Sequence, residues 1–310
     1  MFKKYLLSIF MLGNLMFNFE NLKTKNIKNE NNSYIFVSDI GGTNSKFALA
    51  KINKKEKPEL ILKLRLDSKK IDNFADTINL IIKQIEKKIN IKIDTISLAS
   101  AGVISADRKT CKISNLDKTI SVNEIIKTTK IKKVFLLNDF EAIGYGFQTL
   151  EKKDILEINK LKTINNKFVD KAYIGAGTGL GKGILVWNEN KKLYIPKQSE
   201  GGHADFAAQD QQDLNLINFI KENKTKNCNV EWEDILSGRG LQYIYKFLLK
   251  NANQNKFTKE IESNSYDPAL ISKYKNEDVI SKKTFELFSK YYARCAKCFA
   301  LDTLSRGGIY

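Results

Sequence analysis

The chain has 310 residues, 42% hydrophobic and 28% charged, a globular balance that excludes a disordered, collagen-like or disulfide-framework protein. Lys plus Arg is 52 against 35 acids, a net charge of +17, which would suit a nucleic acid, an anionic membrane or a phosphorylated ligand. The lysines are scattered through nearly every segment and no nucleic-acid-binding motif accompanies them, so no nucleic-acid partner is expected. Only Pro58, Pro196 and Pro268 occur, so there is no Pro-rich linker, and the length suits one large domain or two medium ones with a core each.

Residues 1–19 read MFKKYLLSIFMLGNLMFNF. Two lysines before an apolar run resemble a signal-peptide n- and h-region, but no small-x-small cleavage site follows. The run is also short for a membrane span, which needs ~20 residues. The Lys/Asn-rich stretch 20–33 reads as disordered, so 1–33 is expected to be a leader or disordered extension. The folded protein is expected to begin near Tyr34. The expected location is the cytoplasm, with residues 1–19 leaving a leader-directed or membrane-associated one open and no stable membrane span.

Strands follow at 34–38, 46–52 and 59–66. Ile71, Phe74, Ile78, Ile81, Ile82, Ile85 and Ile89 then recur at helical spacing behind Asp72 as N-cap. Residues 93–100 and 133–137 read as strands, the latter opening a helix through Gln148. A second cycle starts with a strand at 171–176 and a hairpin of 181–188 with 191–196. Helices follow at about 210–222, 231–236, 239–250, 267–275 and 281–305. The partial restart suggests two related α/β domains, a small one over 34–148 and a large one over 149–310. Cys295-x-x-Cys298 has metal or redox spacing, but it sits in an apolar helical pattern with no second pair, so small core residues are the favoured reading.

The first chemical motif is Asp39-Ile40-Gly41-Gly42-Thr43-Asn44, between two strands. Its glycines let backbone amides approach an anion, and Thr43 and Asn44 add donors; a plain hairpin turn also accounts for it. The second is Gly175-Ala176-Gly177-Thr178-Gly179-Leu180-Gly181, with amides around Thr178 suited to another phosphate. It is not a Walker loop, because no Gly-Lys-Ser/Thr closes it. Asn138-Asp139 lies just past an apolar strand, where ligands bind in open sheets, or where a helix is capped. Glu200-Gly201-Gly202-His203-Ala204-Asp205-Phe206 holds the chain's single histidine, and Glu233 precedes Leu236-Ser237-Gly238. His203 also reads as a structural histidine and Glu233 as a charge at a helix start. Zinc lacks a ligand set here.

Together and in this order, these motifs resemble the bacterial-type glucokinase family of the sugar-kinase/Hsp70/actin superfold, over residues 34–310. The resemblance implies a two-domain, actin-like ATPase (ribonuclease H-like) α/β fold with a cleft between domains. It implies ATP-dependent phosphorylation of glucose to glucose 6-phosphate, the first step of glycolysis. It makes Asp139 the catalytic base and Asn138, Glu200, His203 and Glu233 the sugar contacts. Asp39, Gly41, Gly42, Thr43, Asn44, Gly177, Thr178 and Gly179 then bind the nucleotide, as MgATP, with Asp39 reaching Mg²⁺ through water. No protein metal site is implied, and the Cys-rich zinc motif of related repressor/kinases does not follow His203. A homodimer is also implied. The family continues past a strand matching Arg306-Gly307-Gly308-Ile309-Tyr310 into an Ala-Gly-Gly segment, adenine contacts and a returning helix. The chain stops at Tyr310, so the C-terminal end is expected to be missing, with the sugar site more complete than the nucleotide site and stability and ATP affinity lowered. The alternative is a sugar-binding pseudoenzyme or inactive truncated kinase.

Overall fold

The computed structural model describes residues 17, 19–21, 33–52, 58–114, 116–159, 168–224 and 229–310, so most of the apolar leader and Cys228 lie outside the described residues. The chain divides into two units, Met1–Ile143 and Gly144–Tyr310. In the first, a six-stranded sheet is made of β1 (Glu20–Asn21), β2 (Ser33–Ile40), β3 (Asn44–Ile52), β4 (Glu59–Asp67), β5 (Thr95–Ser100) and a last strand introduced below. A small sheet of β6 (Gly102–Ile104), β7 (Thr110–Ile113) and β8 (Thr119–Ser121) precedes that last strand, β9 (Lys133–Asn138). The large sheet runs β1-β4-β3-β2-β5-β9, antiparallel from β1 to β2 and parallel from β2 to β9.

Strand alternation explains this sheet. Along β2, Tyr34, Phe36, Ser38 and Ile40 are buried and the residues between them are not, the period of a strand with one face on a core. Phe36 and Phe47 stack there at 5.9 Å. Helix α1 (Phe74–Ile89) covers the core with Phe74, Ile78, Ile81, Ile82 and Ile85, as its 3.6-residue spacing requires. Its cap is Asn73, not Asp72: the Asn73 side chain accepts from the Asp76 amide at 3.0 Å, and Asn73, not Asp72, has the extended backbone directly before the first turn. Helix α2 (Val122–Thr129) was not evident from the sequence; two buried residues, Val122 and Ile125, are too few to mark a period.

The sheet also takes an edge strand from within the stretch read as a disordered extension, upstream of Tyr34. Glu20 and Asn21 pair with Lys63 and Leu62, and Glu20 meets Lys63 in an ion pair at 2.9 Å. Phe17 and Phe19 pack against the core. The two aromatic rings, from the end of the apolar run 1–19, give the strand beside them apolar area to bury.

Helix α3 (Asp139–Phe147) carries the chain across the unit boundary. The second unit has a three-stranded antiparallel sheet of β10 (Lys171–Ala176), β11 (Leu180–Asn188) and β12 (Leu193–Ser199). Its last residues run parallel to β10: Ala172 N donates to Gly308 O at 3.0 Å and Ile174 N to Tyr310 O at 2.9 Å. Helices α4 (Gln211–Asn223), α5 (Gly238–Leu249), α6 (Lys256–Ser263), α7 (Pro268–Lys273) and α8 (Val279–Asp302) follow. The helix expected at 231–236 is only a 3-10 turn, Trp232–Asp234, because Ser237 restarts the chain as the cap of α5, accepting from Gly240 N at 3.1 Å.

Asp213 lies fully buried in this core. Arg294 donates to it at 2.6 Å and the Tyr291 hydroxyl at 3.0 Å, while Gln209 N donates at 2.8 Å. A buried carboxylate needs such a shell. Cys295 is fully buried among Leu216, Ile235 and Tyr291, and burial pushes its thiol pKa up, which suits a packing residue.

Candidate active site

In the first unit the sheet register gathers the candidates. Ile40 lies opposite Ser100, and Ser100 opposite Asn138. The first glycine turn, after β2, and the Asn138-Asp139 junction, after β9, therefore leave parallel strands at the same edge of the sheet with β5 between them, where open α/β sheets bind ligands. The turn is braced from below: Gly41 N donates to Asn44 O at 3.0 Å, and the Ser68 hydroxyl donates to Gly41 O at 2.6 Å and lies 2.8 Å from the Ser45 hydroxyl. Arg65 Nε donates to Asn44 Oδ1 at 3.0 Å. Among the described residues nothing accepts from the amides of Gly42 and Thr43. Asp39 pairs with Lys46 at 2.9 Å, with both side chains more than half exposed.

Capping and chemistry share the junction. Asn138 Oδ1 accepts from Phe140 N at 2.9 Å and Glu141 N at 3.2 Å, which makes Asn138 the cap of α3, and its amide nitrogen donates to Gly102 O at 3.4 Å. Asp139 opens the helix, and its Oδ1 accepts from Phe140 N at 2.8 Å. One turn-mate is tied down from afar. Glu141 is buried and receives both terminal nitrogens of Arg108 at 3.0 Å each, a fork-to-carboxylate pair that fixes orientation as well as charge. Arg108 sits on the β6–β7 turn and carries no spacing signal in the sequence.

The second unit gathers its candidates at one end of its own sheet. Ala176 opposes Leu180, and Lys182 opposes Ser199, so the second glycine turn and the segment from Glu200 emerge side by side. Gly201–His203 forms a 3-10 turn closed by His203 N donating to Glu200 O at 3.0 Å. Its glycines are there for space: a Cβ on Gly202 would lie 2.2 Å from Leu180 O, and one on Gly201 would lie 3.1 Å from Lys182 Cδ. The stretch 231–233 is brought alongside by the Asp205–Glu231 bridge and by Trp232 N donating to Ala204 O at 3.0 Å.

Two carboxylates then divide the work. Glu233 accepts from Leu180 N at 3.0 Å, and a Cβ on Gly179 would lie 2.5 Å from its Oε2. The glutamate read as a sugar contact therefore also holds the second glycine turn, and Gly179 is needed to admit it. Gly238 N donates to Gly177 O at 2.9 Å, a second tie to that turn. Among the described residues nothing accepts from the amides of Thr178 and Gly179.

Glu231 was not among the sequence candidates. Its Oε2 lies 2.8 Å from His203 Nδ1, while Glu200 Oε2 lies 4.0 Å from Nε2. The Glu231 contact raises the His203 pKa above its ordinary value, opposed by partial burial and reinforced by the charges of Glu233, Glu231 and Glu200. Separated from His203 by 28 residues, Glu231 has no local signature; an acid two positions before Glu233 was the one visible hint.

Asn138, Asp139, Asp39 and the 41–44 turn thus fall in one unit, and Glu200, His203, Glu233 and the 177–179 turn in the other. Among the described residues no group of three or more His, Cys, Asp or Glu is placed to hold a metal, and no helix is long and apolar enough to cross a membrane.

The glucokinase family model matches residues 36–310. A glucokinase of Nostoc punctiforme is 30% identical over 294 residues, 89% of this chain and 82% of that protein. Among solved structures, a Balamuthia mandrillaris glucokinase in complex with glucose superposes with a TM-score of 0.72 at 21% identity, over 96% of this chain and 82% of that one. A Streptomyces griseus ROK-family glucokinase in complex with glucose and AMPPNP gives 0.54 at 17%, over 87% and 80%. At those identities the two structures speak for the fold, an α/β sugar-kinase architecture.

Proposed function

We propose how this chain, which belongs to the glucokinase family, transfers a phosphoryl group from a nucleoside triphosphate to glucose. The observation that carries the reading is Glu233, one carboxylate seated on a glycine turn through Leu180 N and borne by the segment beside the lone histidine. It joins phosphate-binding and hydroxyl-binding groups in one local cluster.

In this reading the amides of Gly42, Thr43, Thr178 and Gly179 receive phosphate oxygens, with Asp39, Gly41, Asn44 and Gly177 shaping the two turns. Asn138, Glu200, His203 and Glu233 bind the sugar, whose hydroxyls each donate and accept. Asp139 takes the proton of the primary hydroxyl as that oxygen bonds the γ-phosphorus, and the diphosphate leaves with the electron pair of the broken P–O bond. ATP is the natural donor, given the sugar and AMPPNP found together in the Streptomyces griseus protein. Mg²⁺ fits a site with one exposed carboxylate, Asp39, because it keeps several waters and takes other ligands from phosphate, whose charge it offsets. A cytoplasmic homodimer is the assembly and location the family resemblance adds.

A coupled assay with glucose, ATP and Mg²⁺ tests the reading. Glucose-dependent ADP formation, lost in Asp139→Ala, is the expected result. Glucose binding without turnover in the unmodified chain would overturn the kinase reading in favour of a sugar-binding protein. Undiminished turnover in Asp139→Ala would overturn the base.

A further inference from the structure

We infer that Glu231 is a positioning residue that keeps the proton on His203 Nε2 and so makes the histidine a hydrogen-bond donor to the sugar. The inference rests on the hexose reading above and adds a residue to it. Three distances carry it. Glu231 Oε2 lies 2.8 Å from Nδ1, within hydrogen-bond reach. Glu200 Oε2 lies 4.0 Å from Nε2, too far for a direct bond and close enough for one hydroxyl to touch both. Glu231 is held where it is by backbone: Glu231 N donates to Asp234 Oδ2 at 2.9 Å, and the Asp205–Glu231 bridge fixes its strand-like position.

The chemistry follows from counting protons. A carboxylate only accepts, and so does the bare Nε2 of a neutral ring whose proton is on Nδ1. A single sugar hydroxyl between Glu200 and a neutral His203 would face two acceptors with one proton. With the ring protonated, Nε2–H donates to the hydroxyl oxygen and the hydroxyl donates to Glu200, so every group is matched. Glu231 favours that state by accepting from Nδ1–H and by its charge. The other ionisable groups acting on the ring work in the same direction: Glu200 and Glu233 add negative charge. The raised proton affinity of His203 agrees with the geometry. Glucose affinity should therefore fall as pH rises through the His203 titration.

Because His203 is the chain's single histidine, its imidazole resonances need no assignment. The experiment titrates them by NMR in the full chain and in Glu231→Gln, and measures the glucose dissociation constant by calorimetry across the same pH range. The expected result is a midpoint that moves down by roughly one unit in Glu231→Gln, with the limb of the glucose-affinity profile moving by the same amount. A second variant keeps the test sharp. In a His203→Gln background, Glu231→Gln should change glucose affinity by less than about twofold, because its partner is gone. An unmoved midpoint, a moved midpoint with an unmoved affinity limb, or a full Glu231 effect without His203 would each overturn the inference. Failure of the kinase reading would show separately, as absence of phosphoryl transfer by the unmodified chain, and would leave the midpoint and the binding limb measurable.

Discussion

Asn138 and Asp139 in the first unit are placed by a strand-to-helix junction, whereas His203, Glu231 and Glu233 in the second are placed by one another and by the turn they touch. The first arrangement is backbone: sheet register aligns Ile40, Ser100 and Asn138, and a cap starts the helix. The second is side chain to side chain and side chain to amide. The glycine turns differ in the same way. The first is braced by the neutral hydroxyl of Ser68, the second by the carboxylate of Glu233. A backbone-set group should respond to mutation in one kinetic constant. A group set by a charged neighbour should respond in several, and with pH.

The largest effect is expected at the backbone-set base. Asp139→Ala should lower kcat on the order of 10²–10⁴-fold and leave glucose binding in place; a matching loss of binding would erase the contrast between the units. Glu233→Gln comes next. A hydrogen bond to a charged group is worth about 1.5–3 kcal/mol, so the KM values for glucose and for ATP should rise together, on the order of ten- to a hundredfold. Ser68→Ala supplies the control in the first unit: at about 1 kcal/mol for a neutral bond, it should raise the ATP KM alone. A rise in both constants there would mean that the two turns are wired alike.

Stability gives a further contrast. Gly202→Ala brings a Cβ to within 2.2 Å of a backbone carbonyl, whereas a Cβ on Gly177 meets nothing within 4 Å. The first should cost about 1–3 kcal/mol by overpacking and the second little, as thermal unfolding of the two variants would show.

The smallest effect is the pH dependence of stability. The folded pKa of His203 lies above its unfolded value, chiefly through Glu231. The contact therefore adds stability that is fully present below about pH 6.5 and is lost as pH rises through the folded pKa. The His203 side chain is 52% exposed, so solvent screening keeps the contribution under about 1 kcal/mol. Denaturant midpoints of the unmodified chain and Glu231→Gln should differ in mild acid and converge in mild alkali; a gap that persists in alkali would assign Glu231 a purely structural part.

Much of this was fixed by local chemistry alone. Short apolar runs and alternation marked β2 through β5, helical spacing marked α1 and α8, and glycines marked both turns, because each signal lies within a few residues of chain. The order of motifs was enough to reach the family and to single out Asp139, Asn138, Glu200, His203 and Glu233. Short elements with few buried residues, such as α2 and the β6–β8 sheet, gave no period to read, and the edge strand at Glu20–Asn21 was hidden in a polar stretch. What tertiary structure decided is who touches whom: Arg108 with Glu141 across 33 positions, His203 with Glu231 across 28, and Leu180 with Glu233 across 53. A carboxylate has the same one-letter appearance whether it caps a turn, tunes a histidine or faces water. Only the folded chain brings up the partner that settles which, because hydrogen bonds and ion pairs act over a few ångströms of space and not along the sequence.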